Sequence, residues 1–413
     1  MVDLSPTPRV QAVLAALKQF VEREVEPLER ELARRLEARG LPERGLWNLE
    51  PDGTLSPIVW EIKREVARRS AAAGFYNLHL PEDAGGGGFS RTEMFFVEEF
   101  AYSHGLGMKP AILAWTEGPN PMLLALSAEQ RRRLLEPLMR GDRSAAFALT
   151  EPQAGSDVLG IKTRAVRDGD DWIIRGHKAI ITNAQYCDVA QVVAVTEPGA
   201  GSRSLTVFMV EATRPGFRRG ATYRTIMDDG LTGEIFLDDV RVPDANRVGD
   251  VGQGLPLALT WINWRRMCRG GMCAGWGKFL LDRSREYARQ REAFGAPIGA
   301  LQTVQRLVVD MYLDWYAARS LSLAAQWEID RLGPYTIPLD PDAVRLISTI
   351  KVANDEAFFR IADRAVQVHG GWGLLRDNPV ETLFRVARNL RVPAGTDEIQ
   401  RNLIARGLGL GDR

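Results

Sequence analysis

Residues 148–157 read ALTEPQAGSD, and they mark the point where the pattern of the chain changes. Before this stretch, apolar residues recur every three or four positions, which is typical of amphipathic helices. After it come short runs rich in β-branched residues, separated by turn signals such as Asp168-Gly169-Asp170. The stretch therefore predicts the opening of a β region that follows a helical one.

The helical region begins with a periodic pattern over 10–36, in which Pro27 is predicted to break or kink the helix. Helical patterning then returns in three segments, 58–73, 92–102 and 128–139. The Pro- and Gly-rich segment 41–57 and the glycine tetrad 85–88 separate these segments. Both are predicted to be loops.

The β region is predicted from four runs, at 171–181, 189–195, 205–210 and 234–242. Their composition and the turns between them favour a compact antiparallel β domain. From Gly254 onward, helical periodicity returns in long segments, with breaks at 294–297, 333–334 and 370–373. The predicted fold is therefore α+β, with a helical domain over 1–145, a middle antiparallel β domain over 146–253 and a helical domain over 254–413.

Composition narrows the class of function. The 413 residues carry 53 Lys plus Arg and 53 Asp plus Glu, so a zero net charge gives no reason to expect a nucleic-acid or membrane partner. No signal peptide or long apolar run is visible, and the three cysteines fit a reducing compartment, so a cytoplasmic location is expected. Four histidines without paired ligand spacing do not predict a metal site. Small-molecule chemistry is the expectation.

Four motifs in a fixed order carry a family resemblance: GFYNLHLPE at 74–82, TEPQAGSD at 150–157, FLDDVRVP at 236–243 and REAFGAPI at 291–298. With these motifs the chain resembles the acyl-CoA dehydrogenases over essentially its whole length. The resemblance implies bound FAD, a C-terminal four-helix-bundle domain and a homotetramer. It also implies oxidation of an acyl-CoA, or acyl-carrier, thioester to the α,β-enoyl thioester, with electron-transfer flavoprotein as the electron acceptor.

A flavin that accepts a hydride needs an apolar wall and hydrogen-bond donors near the atoms that gain electron density. The resemblance places Phe147 and Leu149 against the flavin ring and turns Thr150 and Thr182 toward it. Ile180 stands where many relatives have an aromatic residue. The resemblance also assigns further positions to the FAD side, among them an arginine offered to the pyrophosphate across a subunit boundary: Gly155, Ser156, Arg291, Phe294, Gln302, Gln367, Gly371, Thr396 and Glu398.

The substrate side is assigned to three residues. The small pair Gly155-Ser156 allows backbone and hydroxyl to approach a phosphate or a thioester oxygen closely. Asn263 and Arg266 fall on the helix that, in relatives, contacts the CoA moiety and supports the loop that bears the catalytic base. The resemblance therefore implies Ser156, Asn263 and Arg266 as substrate-binding residues.

The loop that should bear the base departs from the pattern. Residues 391–401 read RVPAGTDEIQR, and relatives usually have a glutamate before Gly-Thr, where this chain has Ala394. Some relatives carry the base on the preceding helix, at the position of Arg265. Dehydrogenation needs a carboxylate that removes the α-proton, and a positioned base contributes about 10²–10⁴-fold in rate. Neither residue can accept that proton.

Three explanations are open. The chain carries an engineered Glu-to-Ala change, or it is a natural member with a relocated base, for which Glu117 is a candidate, or it performs different chemistry. The third explanation includes flavin monooxygenases and oxidases on this fold. A separate alternative is a non-catalytic subunit that binds flavin or CoA. His369 is predicted to be a packing or hydrogen-bonding residue near the cofactor rather than an acid or base. The acyl group is not predicted.

Overall fold

The computed structural model describes residues 5–41, 48–376 and 378–411. Contacts between Cα atoms divide the chain into two compact units. The helical unit comprises Met1–Pro27, Phe89–Pro110 and Arg265–Arg413. The sheet unit comprises Leu28–Gly88 and Ala111–Trp264. Both units are discontinuous in sequence, and the domain boundaries at 145 and 253 remain a prediction.

The elements are these. In chain order, the α-helices are α1 (Pro8–Phe20), α2 (Glu26–Glu37), α3 (Pro57–Ala72), α4 (Arg91–Tyr102), α5 (Ala128–Gln130), α6 (Glu136–Met139), α7 (Gly254–Met267), α8 (Arg269–Gln290), α9 (Gln302–Leu332), α10 (Pro341–His369), α11 (Pro379–Leu390) and α12 (Asp397–Gly407). The strands are β1 (Ala145–Ala148), β2 (Arg164–Asp168), β3 (Asp171–Ile181), β4 (Val189–Val195), β5 (Leu205–Glu211), β6 (Phe217–Thr222), β7 (Gly233–Pro243), β8 (Arg247–Val248), β9 (Glu292–Ala293) and β10 (Ala296–Pro297).

Two prolines inside helical patterns are accommodated by π-helical turns. The turn Val21–Val25 joins α1 to α2 just before Glu26-Pro27, and the turn Arg131–Leu135 joins α5 to α6 just before Glu136-Pro137. Proline has no N–H, and its ring clashes with the carbonyl of the preceding turn. One wider turn absorbs this mismatch. The predicted break or kink at Pro27 is thus a π-helical turn within a continuing helix.

In the helical unit, α8, α9 and α10 pack against one another, and α4 packs against α8 and α9. Ser90 and Glu93 form a capping box at the start of α4. The carboxylate of Asp330, on α9, also accepts the N–H groups of Arg91 at 2.7 Å and Thr92 at 2.9 Å. The α-helical C-terminal part is confirmed, but the bundle includes α4 from the N-terminal part of the chain.

In the sheet unit, eight strands form one sheet in the order β6-β7-β3-β2-β4-β5-β8, with β1 paired to β4. Most pairings are antiparallel, as predicted, but β1 and β2 pair parallel with β4. The bounds of β3 and β4 are those predicted, whereas the short strands β1, β2, β6 and β8 were not predicted. Alternate side chains of the long strands, such as Ile174, Val192 and Phe208, form the buried core on one face.

Cys187, Cys268 and Cys273 are buried and form no disulfide. Burial raises the pKa of the Cys187 and Cys268 thiols to about 12. These side chains therefore act as small apolar groups at neutral pH.

Candidate active site

The loop that follows β1 is held by a buried ion pair. The Glu151 carboxylate accepts hydrogen bonds from the Lys178 ammonium at 2.8 Å and from the N–H groups of Lys162 at 2.7 Å and Thr163 at 3.0 Å. Lys178 also donates to the carbonyl of Leu149 at 3.0 Å. Glu151 and Lys178 thus tie the start of the TEPQAGSD loop to β3 and to the segment that follows the loop. Neither had been singled out in the sequence, although Glu151 lies within the motif.

Burial opposes the charge on Glu151, but the Lys178 ammonium and the N–H donors lower the pKa of Glu151 to about 2, from an ordinary value of 4.5. Since the carboxylate is stabilised in the folded state, its contribution to stability is present above pH 4.5 and is lost as the pH falls toward 2.

We expect the difference in unfolding free energy between the native chain and Glu151→Gln to shrink by on the order of 3 kcal/mol between neutral pH and pH about 2. Thermal or urea unfolding at several pH values measures it. The exposed Glu129→Gln is the matched control and should show no such pH-dependent difference. A pH-independent difference for Glu151→Gln would contradict the assigned role.

The flavin-side residues of the sheet unit lie close to this anchored loop. Phe147, in β1, stacks on Trp261 with ring centroids 4.2 Å apart, and Leu149 is buried. The carbonyl of Thr150 accepts the N–H of Ala179 at 3.0 Å, which ties the loop to β3 again. Trp261 was missed in the sequence. Its indole Nε1 is buried without a hydrogen-bond partner among the described residues, so this N–H is a donor available to a ligand.

The end of β3 is strained at a position assigned to the flavin wall. Ile180 has φ of 56° and is 64% exposed, at a register irregularity between Lys178 and Ile181. A β-branched residue rarely adopts this left-handed conformation. Backbone strain of this kind clusters at functional sites. Thr182, two residues on, is half-buried.

The remaining substrate-side residues of the sheet unit differ in exposure. Gly155 and Ser156 are exposed, and a Cβ at Gly155 would meet no atom of the described chain within 4 Å. Asn263 is buried on α7. The boundary between the units falls after Trp264, so Arg266 belongs to the helical unit.

Glu117 does not stand as a free carboxylate. Its Oε1 lies 2.5 Å from the Lys63 ammonium, and both side chains are nearly buried. Tyr76, Arg64 and Arg143 line the same cleft. This carboxylate would have to leave the ammonium before it could reach a substrate, which disfavours Glu117 as a relocated base.

In the helical unit, the loop that contains Ala394 has a defined shape. Ala394 has φ of 62° and Gly395 has φ of 81°, so two consecutive residues are left-handed. Arg266 Nε donates to the Ala394 carbonyl at 2.8 Å, and Gln400 Nε2 donates to the Gly395 carbonyl at 3.3 Å. A Cβ on Gly395 would lie 2.7 Å from Gln400 Nε2 and 2.9 Å from Arg266 Nη2, so a side chain there would displace these two groups and strain the left-handed backbone.

A buried charge cluster anchors the same loop to α10. Lys351 Nζ contacts Asp355 Oδ2 and Asp397 Oδ1, each at 2.8 Å, and Arg391 Nε contacts Asp397 Oδ2 at 3.1 Å. Thr396 caps α12 by accepting the N–H of Ile399 at 3.3 Å. Lys351 and Asp355 were not predicted from the sequence, because Asp397, which joins Lys351 to the loop, is 46 residues away from it in the chain.

Two consecutive arginines of α7 are buried, and the second of them contacts the loop. Arg265 and Arg266 are 4% and 5% exposed, and burial lowers the pKa of each to about 10. Both remain cationic at neutral pH. Arg265 lies near Glu98 and Cys268 and is surrounded by the helical unit.

Several residues assigned to FAD line an open groove of about 470 Å³ in the helical unit. Arg291 and Gly371 line it, together with His369, whose ring stacks on Tyr287 with centroids 4.5 Å apart. His369 Nδ1 lies 2.8 Å from the Ala365 carbonyl, and burial lowers the pKa of this histidine. Its Nε2 is buried without a hydrogen-bond partner in the part of the chain that the structure describes. This atom is therefore available to a ligand in the groove.

Four other residues assigned to FAD are exposed on the helical unit. Phe294, at the tip of the β9–β10 hairpin, is 96% exposed with φ of 53°. An exposed aromatic ring on a left-handed backbone is unfavourable unless a ligand or partner covers it. Gln302, Gln367 and Glu398 are also exposed.

Family models for the acyl-CoA dehydrogenase N-terminal, middle and C-terminal domains match residues 59–142, 146–240 and 252–409. The chain belongs to the acyl-CoA dehydrogenase family. Members of this family are flavin oxidoreductases that act on CH–CH bonds and bind FAD.

Three relatives illustrate the similarity. The caffeyl-CoA reductase–Etf complex subunit CarC of Acetobacterium woodii is 31% identical over 84% of this chain and 89% of its own length. The 3-(aryl)acrylate reductase of Clostridium sporogenes is 30% identical over 92% of this chain and 98% of its own. The crystal structure of glutaryl-CoA dehydrogenase from Mycobacterium smegmatis aligns with a TM-score of 0.79 at 27% identity, covering 98% and 96% of the two chains.

The residues of the groove fit the FAD of the family. Arg291 supplies a permanent positive charge suited to a pyrophosphate, and His369 Nε2 supplies a buried polar atom in need of a partner. Gly371 leaves open space beside them. When bound, FAD supplies the hydride acceptor. Within the described residues, no helix combines the length and the apolar character needed to cross a membrane.

Proposed function

We propose that the protein is an FAD-dependent oxidoreductase of acyl-CoA thioesters that forms the α,β-enoyl thioester. The loop around Ala394 carries this proposal. It is held by Arg266, Gln400 and the Asp397 cluster in a shape that presents residue 394, although that residue is an alanine. The loop is therefore shaped to hold a base at residue 394, but the alanine there cannot accept a proton.

The residues act as follows in this proposal. Ser156 and the N–H groups of its loop bind the thioester part of the substrate, and Glu151 with Lys178 keeps that loop in place. Asn263 and Arg266 are further substrate-binding residues, and Arg266 also holds the 394 loop. Arg291, together with His369, holds the cofactor. Removal of the α-proton is the one step for which neither Ala394 nor Arg265 supplies a group, so simple acyl-CoA thioesters react slowly with the native chain.

The test is anaerobic mixing of the FAD-loaded protein with a panel of saturated acyl-CoA thioesters, comparing the native chain with Ala394→Glu. Bleaching of the flavin and an enoyl product with the Glu form support the proposal. If the native chain bleaches unaided, another residue is the base. If neither form bleaches and oxygen is consumed, or nothing reacts, a flavin oxidase or a non-catalytic subunit explains the chain better.

Electron-transfer flavoprotein is the proposed electron acceptor. The relative from Acetobacterium woodii is named as a subunit of an Etf complex, and it aligns over most of both chains.

The three unbridged cysteines agree with a cytoplasmic location.

We also propose a homo-oligomer, with a tetramer as the expected form. Along α9, the exposed apolar residues Val309, Tyr312, Leu313 and Tyr316 are spaced at i, i+3, i+4 and i+7 and therefore share one helix face. Phe294 and Trp372 add exposed aromatic surface to the same unit. Contiguous apolar surface of this kind is typical of subunit interfaces.

Leu313→Glu should convert the oligomer to smaller species, because a charged carboxylate in a buried interface costs several kcal/mol. Sedimentation velocity at micromolar protein measures the change. Val166→Glu, at an exposed apolar position on β2 of the sheet unit, is the matched control and should leave the assembly unchanged. A native chain that sediments as an FAD-loaded monomer would contradict the proposal.

A further inference from the structure

Residue 394 occupies the seat of the base, meaning the position at which the relatives' glutamate would remove the α-proton. The charge beside this position is positive, which does not suit proton abstraction. Arg266 donates to the Ala394 carbonyl at 2.8 Å and lies against Gly395, so a guanidinium flanks the seat. Arg265 precedes it on α7 and is equally buried. Ala394 contributes a methyl group and no charge. The loop therefore offers one cation, Arg266, where an acyl-CoA dehydrogenase needs a carboxylate.

The loop keeps a defined conformation around residue 394, although no glutamate side chain is present there. Ala394 keeps φ of 62°, a conformation that alanine disfavours, because the bonds from Arg266 and Gln400 and the cluster at Asp397 hold the backbone. A glutamate would extend from this position by a short chain ending in a carboxylate. Ala394 is half-buried within its unit, so a group of the substrate has access to the seat.

We propose that the substrate itself brings the carboxylate, attached to its α-carbon, so that the enzyme acts on α-carboxyacyl thioesters of the substituted malonyl class. This inference rests on the proposed function and specifies its substrate. Loss of carbon dioxide then replaces removal of the α-proton. The seat needs no base, which explains why neither usual position holds one.

The step balances without a proton acceptor. The bond between the α-carbon and the carboxylate breaks, carbon dioxide leaves, and the electron pair stays on the α-carbon. The β-hydrogen departs with its pair as a hydride to FAD, and the double bond forms between the two carbons. The products are the enoyl thioester, carbon dioxide and reduced flavin, so the substrate is oxidised by two electrons and the flavin is reduced by two.

Arg266 is the residue that recognises the α-carboxylate. A guanidinium binds a carboxylate through charge-assisted hydrogen bonds and stays charged at neutral pH. Arg266 is 95% buried, so the carboxylate exchanges its water shell for a dry site on binding.

The relocated-base alternative has less support on the structure. Its candidate, Glu117, is 2.5 Å from the Lys63 ammonium in a cleft of the sheet unit. A base there would first have to break this pair. Decarboxylation requires no rearrangement of that kind.

The experiment compares ethylmalonyl-CoA with butyryl-CoA, and then longer pairs, on FAD-loaded native protein and Ala394→Glu. The members of each pair differ only by the α-carboxylate and give the same enoyl product. We expect the native chain to bleach and to release carbon dioxide with the carboxylated member alone. Ala394→Glu should do the reverse, since its carboxylate repels that of the substrate and supplies a base.

Binding provides a second readout that does not depend on flavin reduction. Malonyl-CoA and acetyl-CoA have no hydrogen on a β-carbon, so neither can transfer a hydride. Calorimetric titration of the holoenzyme should show a preference for malonyl-CoA of at least about tenfold, the effect of one hydrogen bond to a charged group. Arg266→Gln and Ala394→Glu should remove the preference. Arg285→Gln, an exposed arginine of α8, should keep it.

The outcomes separate this inference from the function on which it rests. If the native chain ignores the carboxylated series while Ala394→Glu bleaches with plain thioesters, the inference is wrong and the proposed function stands. If the native chain bleaches with plain thioesters, a base exists elsewhere and the inference is wrong. If neither form reacts with either series, both fail. Should Arg266→Gln not fold, Ala394→Glu alone decides the result.

Discussion

Replacing Ala394 by glutamate will raise the rate of flavin reduction by a plain acyl-CoA thioester by about 10²–10⁴-fold, the usual contribution of a positioned general base. The backbone is ready for this change, because residue 394 already has the left-handed conformation and its carbonyl is held by Arg266 at 2.8 Å. Glutamate and alanine incur a similar conformational cost there, about 1–2 kcal/mol, so the fold should tolerate the substitution.

Ala394→Gln is the matched control, because it has nearly the shape of glutamate but cannot accept a proton. Single-turnover reduction followed anaerobically in a stopped-flow instrument gives the rate constants. The glutamine form should remain as slow as the native chain, and only the glutamate form should show a rate that rises with pH as the carboxylate ionises. An equal gain in both forms would show that residue 394 acts through packing rather than as a base.

Replacing Lys351 by methionine will destabilise the helical unit by about 3–5 kcal/mol, the usual cost of removing one partner of a buried ion pair. Lys351, Asp355 and Asp397 are each essentially inaccessible, and the ammonium lies 2.8 Å from a carboxylate oxygen of both acids. Without it, two carboxylates remain buried close to one another. The 394 loop, which begins at Arg391 and ends at Asp397, should loosen at the same time.

The control is Lys278→Met, which removes an ammonium from an exposed pair with Asp282 on α8. That pair should contribute less than about 1 kcal/mol. Urea unfolding followed by tryptophan fluorescence measures both variants. Adding Asp397→Asn to Lys351→Met should recover part of the loss, because one of the two buried carboxylates that lose the ammonium is then neutral, and Arg391 alone faces that position. A shift as small as that of Lys278→Met would contradict the role assigned to the cluster.

Local pattern was sufficient for much of the secondary structure. The bounds of β3 and β4 follow from runs of β-branched residues between turn signals, and these features depend only on neighbouring residues. The proline rule located the disturbance at Pro27, but the pattern could not distinguish a kink from a π-helical turn. Whether a kink or a π-helical turn forms depends on whether the helical segments before and after the proline both keep their apolar side chains buried. The strands β1 and β8 are too short to show a period.

The sequence by itself determined the motifs, their order and the chemistry missing at residue 394, because the identity of a side chain decides whether it can accept a proton. Tertiary structure decided which groups meet. Asp330 accepts hydrogen bonds from the start of α4, and Lys178 forms an ion pair with Glu151. Lys63 forms an ion pair with Glu117, and Lys351 forms ion pairs with both Asp355 and Asp397. Such pairs join residues that are far apart in the chain, and their energy comes from desolvation and charge that exist only once the chain is packed.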